Sequence, residues 1–165
     1  MTFLFRQYRY QILDFLFSEV IIIQDKRWYK LIPDLKELIY RIYTLHPFAE
    51  QTTLCFANDQ KIQKLNCQFR NKNKPTNVLT FEHPDPQSYG GDIILALETI
   101  QKESRRARKP MRHHLTHLIF HGLLHLEGYD HLKCNETKIM EMKESYFLGK
   151  IGIPNPWKNS SFGSI

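Results

Sequence analysis

Three histidines, His121, His125 and His131, occur in the stretch HGLLHLEGYDH at the spacing H-x3-H-x5-H. Residues four apart lie on one face of a helix, so His121 and His125 can bind the same metal ion. Gly128 is suited to end that helix, and the turn that follows would bring His131 to the same ion. Three neutral imidazoles leave one tetrahedral position open for water, which is typical of catalytic Zn²⁺. We therefore predict a site for one zinc ion with these three ligands.

Two other interpretations of this stretch stay open at this point. The spacing matches that of metzincin peptidases, but their motif has a glutamate general base where Gly122 stands. Glu127 does not replace that base, because on a helix it points about 120° away from the histidine face. A peptidase is therefore disfavoured. Cys134 could close the fourth position and make the zinc structural, and Asp130 could orient His131 or the bound water.

The histidine stripe extends towards the start of the same helix. His114, His117, His121 and His125 fall within about an 80° arc, and the rest of the circumference is mostly apolar. His117 lies ~12 Å along the axis from His125, too far to bind the same ion. We expect His114 and His117 to line the cleft or to support the ligands. The residues expected to pack into the core are Leu115, Leu118, Ile119, Leu123 and Leu126.

Two basic segments suggest a phosphate-containing substrate. Residues 60–81 contain five basic side chains and no acid, and residues 102–114 contain six basic side chains against Glu103 alone. Each segment by itself is equally consistent with a solvated face. Beside a zinc hydrolase motif, however, two such segments favour the binding of phosphate groups, as in a nucleic acid. The side chains expected to contact such a ligand are Lys72, Lys74, Arg105, Arg106, Arg108 and His117.

Composition places the protein in a broad class. Its 165 residues, 19.7 kDa, fit one domain, and the net charge of +6 fits a polyanionic partner. Three widely spaced cysteines without a CxxC pair favour a reducing compartment. No apolar run approaches the ~18 residues of a membrane span. We expect a cytoplasmic protein without a membrane partner, and the sequence does not indicate its oligomeric state.

Hydrophobic periodicity predicts interleaved strands and helices. The last helix, about Asn135 to Leu148, is expected to reach the core through Ile139, Met142 and Tyr146. The pattern predicts a single α+β domain, with a small mixed four-stranded sheet packed against helices and a zincin-like histidine helix. We divide the chain into an N-terminal extension (1–17), a hydrolase domain (18–151) and a C-terminal tail (152–165). The predicted strands are Val20–Gln24, Thr52–Phe56, Thr76–Phe81 and Asp92–Leu97, the last two as a hairpin-like pair. The other predicted helices begin near Pro33, Asn58, Glu98 and Met111.

Three stretches, LNCQFRNKNKPTNVLTF, GGDIILA and HGLLHLEGYDH, resemble the motifs of the YbeY family of bacterial endoribonucleases. The resemblance covers about Ser18 to Gly149. It implies that His121, His125 and His131 bind zinc and that Arg70 serves RNA cleavage. It also implies a role in maturing the 3′ end of 16S rRNA and in ribosome quality control. The implied partners are rRNA and the small ribosomal subunit.

Two hypotheses about function follow. The first is a zinc-dependent endoribonuclease acting on single-stranded rRNA, with either a zinc-bound hydroxide or a 2′-hydroxyl as nucleophile. The second is a ribosome-assembly factor in which zinc is structural and nuclease activity is weak or absent. The sequence leaves one question open in both, namely which group replaces the glutamate base that Gly122 excludes.

Overall fold

The computed structural model describes residues 20–46, 49–84, 90–129 and 134–157, with the backbone alone described for residues 50, 134 and 135. This part of the chain forms an α+β domain, as predicted. Its strands are β1 (Ile21–Ile23), β2 (Thr52–Ala57), β3 (Val78–Glu82) and β4 (Gly91–Ala96). Its α-helices are α1 (Arg27–Leu31), α2 (Leu35–Leu45), α3 (Asp59–Arg70), α4 (Leu97–Arg106), α5 (Met111–Leu126) and α6 (Cys134–Lys150). The extension predicted over residues 1–17 lies outside the described residues.

The four strands form one mixed sheet in the order β1-β2-β4-β3. β1, β2 and β4 are parallel, and β3 runs antiparallel to β4 at the edge of the sheet. In this register Thr80 lies opposite Ile93, and Glu82 lies opposite Gly91. The predicted hairpin-like pair is therefore confirmed. Alternate residues of β3 face the same side of the sheet and can therefore line one site together.

The apolar face of α5 supplies much of the core. Four of the five side chains expected to be buried are buried, and Leu126 is partly buried against the same core. Trp28, on the short helix α1 that the sequence pattern missed, is fully buried and donates its indole N–H to the Ala57 carbonyl oxygen at 2.9 Å. None of the helices in the described part of the chain combines the length and apolar content needed to cross a bilayer.

The prediction for the buried face of α6 is wrong. Ile139, Met142 and Tyr146 are 43%, 66% and 59% exposed. The buried residues are instead Met140, Glu144 and Leu148. Both triplets have helical spacing, but a glutamate is rarely buried without a partner. Glu144 is buried because it has partners on α5, described below.

His46, at the end of α2, gives the domain a pH-dependent stability. It is 1% exposed, and its ring packs 4.8 Å from the Phe147 ring between centroids. Burial lowers the pKa of His46 from 6.5 to about 4. The unfolded chain therefore binds a proton below pH 6.5 that the folded chain does not accept until about pH 4. Stability from His46 is full above pH 6.5 and is lost as the pH falls from 6.5 towards 4.

We expect this histidine to cost the metal-free protein about 2 kcal/mol of unfolding free energy between pH 7 and pH 5. Urea unfolding at the two pH values measures the loss. The matched variant is His46→Phe, which keeps an aromatic ring and cannot be protonated. The difference between the two proteins isolates the His46 contribution, and equal pH slopes would contradict the assignment.

Candidate functional site

Two close contacts fix the position of α5 along strands β3 and β4. Gly122 is buried against β4, where an added Cβ would lie 2.8 Å from Ile93 Cδ1. One turn later, a Cβ added at Gly91 would lie 3.0 Å from Leu126 Cδ2. Because Ile93 pairs with Thr80 and Gly91 with Glu82, the helix runs in the direction of β3. His121 and His125 therefore lie level with the stretch between Thr80 and Glu82.

The two histidines of α5 present their Nε2 atoms to each other at 3.2 Å. Two nitrogens that each lie about 2.0–2.1 Å from one tetrahedral zinc ion stand about 3.3 Å apart. The separation of the two nitrogens therefore fits two ligands of one zinc ion. The same distance also fits a hydrogen bond between neutral imidazoles, so geometry alone leaves both states open.

The third predicted ligand, His131, lies outside the described residues, as does Asp130, and of Cys134 only the backbone is described. Within the described residues no group of three or more His, Cys, Asp or Glu side chains converges as a metal site. The turn towards His131 does begin as expected. Gly128, at φ +92°, donates its N–H to the His125 carbonyl, and Tyr129 donates to that of Leu124. These two bonds form a Schellman motif that ends α5 and reverses the chain.

A residue that the sequence analysis missed, Glu144 on α6, anchors the histidine face. Its side chain is fully buried, and Oε1 accepts a hydrogen bond from His121 Nδ1 at 2.8 Å. Oε2 lies 3.0 Å from His117 Nε2 and accepts from Trp157 Nε1 at 3.0 Å. Burial by itself raises the pKa of Glu144, but the hydrogen bonds from His117 and His121 outweigh it and lower the pKa to about 2. Glu144 is therefore an ionised carboxylate inside the protein.

Arg70 reaches the site from the last turn of α3. The helix ends there because Asn71 takes the left-handed conformation at φ 53° and donates its N–H to the Cys67 carbonyl. Asn66, which is buried, donates its side-chain amide to the Lys74 carbonyl at 2.7 Å and so fixes the segment after the helix. The sequence analysis did not single out Asn66, although it lies inside the motif that contains Arg70.

Arg70 and the two histidines line one cavity of about 430 Å³. Alternate residues of β3 line one side of this cavity. Among its described lining residues, the carboxylate is that of Glu82. The cavity is lined by Arg70, Val78, Thr80, Glu82, His121, His125, Gly128 and Tyr129. The Tyr129 side chain is hydrogen-bonded to Lys143, and this hydrogen bond raises the pKa of Lys143. Of the sequence-predicted site residues, this cavity brings together Arg70, His121 and His125.

A second groove of about 360 Å³ also contains Arg70 and continues along Lys72, Lys74 and Asn77. Its two lysines are predicted RNA contacts, so the structure brings them next to Arg70. The other predicted contacts lie elsewhere. Arg108 and His117 line a separate pocket with His113 and His114, and Arg105 and Arg106 are exposed at the end of α4. The basic residues thus form two surfaces, of which one adjoins the histidine pair.

Fold and site together define a class of small α+β proteins in which a helix crossing a mixed sheet presents paired histidines to a cavity beside a basic groove. The family model described as endoribonuclease YbeY matches residues 18–152. The chain belongs to the YbeY family.

Curated relatives of this family are similar over most of the chain. The endoribonuclease YbeY of Gluconobacter oxydans is 41% identical over 152 residues, covering 86% of this chain and 89% of that protein. Those of Sinorhizobium fredii and Ehrlichia chaffeensis are 42% and 36% identical, covering 67% and 80% of this chain and 69% and 92% of theirs. A solution structure from Thermotoga maritima is 24% identical, with a TM-score of 0.47, over 88% of this chain and 99% of that one.

Proposed function

We propose that this protein is a zinc-dependent endoribonuclease that cleaves single-stranded rRNA. Its substrate would be the 3′ end of 16S rRNA, on small ribosomal subunits in the cytoplasm, during maturation and quality control. One observation carries the proposal. The zinc-fitting pair His121 and His125 shares its cavity with Arg70, and Arg70 also belongs to the basic groove with Lys72 and Lys74. A strand lying in the groove would pass a phosphate over Arg70 towards the histidines.

The residues of the cavity and the groove would divide the chemistry between them. A zinc ion bound at the histidines would lower the pKa of a water to about 7 or polarise a phosphoryl oxygen. Arg70 would donate two N–H groups to the oxygens of the reacting phosphate, where negative charge grows. Lys72 and Lys74 would neutralise neighbouring phosphates and set the register of the strand.

Glu82 is the candidate for the general base that Gly122 cannot provide. As the nucleophilic oxygen forms its bond to phosphorus and the bond to the leaving oxygen breaks, the proton of the nucleophile needs an acceptor. Gly122 cannot provide one, whereas the Glu82 carboxylate lines the cavity from β3 at the level of His125. We assign the proton to Glu82, whether the nucleophile is water or a 2′-hydroxyl.

Metal removal tests the proposed function. We expect the purified protein to contain about one zinc ion per chain and to cut single-stranded RNA. Dialysis against a chelator should remove both the zinc and the cleavage, and adding back Zn²⁺ should restore both. Circular dichroism before and after dialysis shows whether the fold survives.

The outcomes separate the two hypotheses for this family member. A protein that unfolds on losing zinc, or that carries zinc and binds small subunits without cutting RNA, would be an assembly factor with structural zinc. A protein that neither carries nor acquires zinc would contradict the site itself.

A further inference from the structure

One of the two histidines that fit zinc is tied to a buried carboxylate on another helix. His121 contacts Glu144 through Nδ1 at 2.8 Å. The ring of His125 is in contact with the His121 ring, with ring centroids 4.6 Å apart. What holds His121 therefore bears on the geometry of the pair.

The carboxylate decides which nitrogen of His121 carries the proton. A neutral imidazole has one N–H, and Glu144, which accepts the Trp157 N–H at Oε2, places its other oxygen 2.8 Å from His121 Nδ1, where it can accept that proton in a hydrogen bond. The contact with Glu144 therefore places the proton on Nδ1 and leaves the lone pair on Nε2. His121 Nε2 then has a lone pair free for a metal, and His125 Nε2 lies 3.2 Å away, so that one ion could lie within reach of both nitrogens. Without Glu144, the neutral ring could carry its proton on Nε2 and would then present a donor to the metal position.

Glu144 is itself fixed from the other side. Its second oxygen, Oε2, is contacted by His117 Nε2 and Trp157 Nε1, both at 3.0 Å. The His117 and Trp157 rings stand edge to face, with centroids 5.4 Å apart. His117 comes from α5 one turn before His121, and Trp157 comes from the segment that follows α6. Both oxygens are thus used, and rotation of the carboxylate would break contacts with three residues from two elements at once.

We propose that Glu144 is a positioning residue for metal binding, that it fixes the tautomer and orientation of His121, and that His117 and Trp157 fix Glu144 in turn. The C-terminal segment then contributes to metal affinity although it contributes no ligand. The inference rests on the proposed zinc site. Outer carboxylates of this kind typically change metal affinity by about 10–100-fold.

Zinc affinity tests the proposal on the full-length, metal-free protein, by competition with a chromophoric chelator. Glu144→Gln should weaken zinc binding by about 10–100-fold, because an amide cannot accept from both sides. Trp157→Phe keeps an aromatic ring and removes only the N–H donor, and should weaken binding about two- to ten-fold, at or below the lower end of that range. The matched control is Glu141→Gln, three residues earlier on the same helix, which should bind like the unaltered protein. Thermal unfolding of each metal-free variant shows whether it is folded.

A second readout does not depend on zinc. In a long-range ¹H–¹⁵N NMR spectrum of the metal-free protein, His121 should be the Nδ1–H tautomer, and Trp157→Phe should leave it folded with a larger Nε2–H fraction. An Nε2–H tautomer in the unaltered protein would overturn the proposal. Equal zinc affinity in folded Glu144→Gln and in the unaltered protein would overturn it as well. If Glu144→Gln does not fold, Trp157→Phe decides in the same way.

The zinc titration also separates this proposal from the proposed function. If the unaltered protein binds no zinc, the proposed function fails, and the tautomer measurement still decides the role of Glu144. If it binds zinc and cuts RNA but Glu144→Gln and Trp157→Phe bind zinc normally, only the positioning role fails.

Discussion

Replacing His125 with Ala is expected to abolish both zinc binding and RNA cleavage, whereas Arg70→Ala and Glu82→Gln are expected to slow cleavage and to leave zinc binding intact. His125 supplies one of two nitrogens that stand 3.2 Å apart at the metal position. Its removal leaves His121 without its neighbour on α5. Because His125 is only half-buried at the end of α5, the domain should stay folded without it. Metal analysis, circular dichroism and an RNA cleavage assay on the same preparations measure the three properties.

Arg70 should separate chemistry from metal binding. It is exposed at the end of α3 and shares the cavity without contributing a metal ligand. Removing one preorganised donor to the transition state costs about 10²–10³-fold in kcat. Arg70→Lys should recover part of the loss, because it keeps the charge and loses the planar pair of donors. Lys30→Ala, which removes an exposed cation on α1, is the control for net charge.

Glu82 should be distinguishable from a residue that merely binds substrate. Losing a general base costs about 10²–10⁴-fold in kcat. Glu82→Gln also removes a negative charge facing a polyanionic strand, so KM should stay equal or fall. A lower kcat with an unchanged or lower KM therefore identifies proton transfer. Full activity in this variant would show that Glu82 is not the general base, and candidates would then lie outside the described part of the chain.

Much of this site could be predicted from the sequence because its spacing reports helix geometry directly. His121 and His125 are four residues apart, and on one helix they must share a face. The end of α5 at Gly128 was equally predictable, since the reversal uses a left-handed residue there. Arg70 was found through the motif that surrounds it. In each case the deciding contacts are local in sequence.

Glu144 could not be predicted in the same way, because its partners are remote. It lies 23 residues after His121, and its burial is explained only by hydrogen bonds between α5 and α6. Charged residues are rarely buried, and the apolar pattern predicted Ile139, Met142 and Tyr146 for the core instead. The spacing of Met140, Glu144 and Leu148 was the available signal. It becomes persuasive only when a nearby histidine is known to need a partner.

Glu82 and Trp157 illustrate the same limit for the cavity. Glu82 faces the histidines because β3 is an edge strand whose register with β4 puts its alternate residues under α5. Trp157 follows the last helix in a segment predicted to be a tail. Neither placement follows from local pattern, since both depend on how strands and helices pack across the chain.

Rebuilding the peptidase motif by Gly122→Glu is expected to destabilise the domain by roughly 3 kcal/mol or more and to create no peptidase. Gly122 is buried, and its added Cβ would lie 2.8, 3.1 and 3.2 Å from three carbons of the Ile93 side chain. Ile93 is fully buried in β4 and cannot move aside without repacking the core. A longer charged side chain would add the cost of burying a carboxylate against the sheet. Urea unfolding measures the loss.

The control is an exposed glycine on α6. Nothing lies within 4 Å of a Cβ added at Gly149, so Gly149→Glu should be neutral or stabilise by up to about 1 kcal/mol through helix propensity. Gly122→Ala should fall between the two, since its gain in propensity opposes the contact with Ile93. A Gly122→Glu protein as stable as the Gly149→Glu protein would contradict the packing argument.

The close packing of Gly122 against β4 explains why position 122 does not supply the general base, which therefore comes from another element. At position 122 the helix packs so closely against β4 that an added side chain would press on Ile93, and the glycine allows this close approach. That approach is what brings β3 under the histidines and places Glu82 in the cavity. A Gly122→Glu variant that pushes α5 away from the sheet should therefore lose RNA cleavage even at temperatures where it is folded. Cleavage assays below its melting temperature test this, and unimpaired cleavage would show that the approach of α5 to β4 does not position the site.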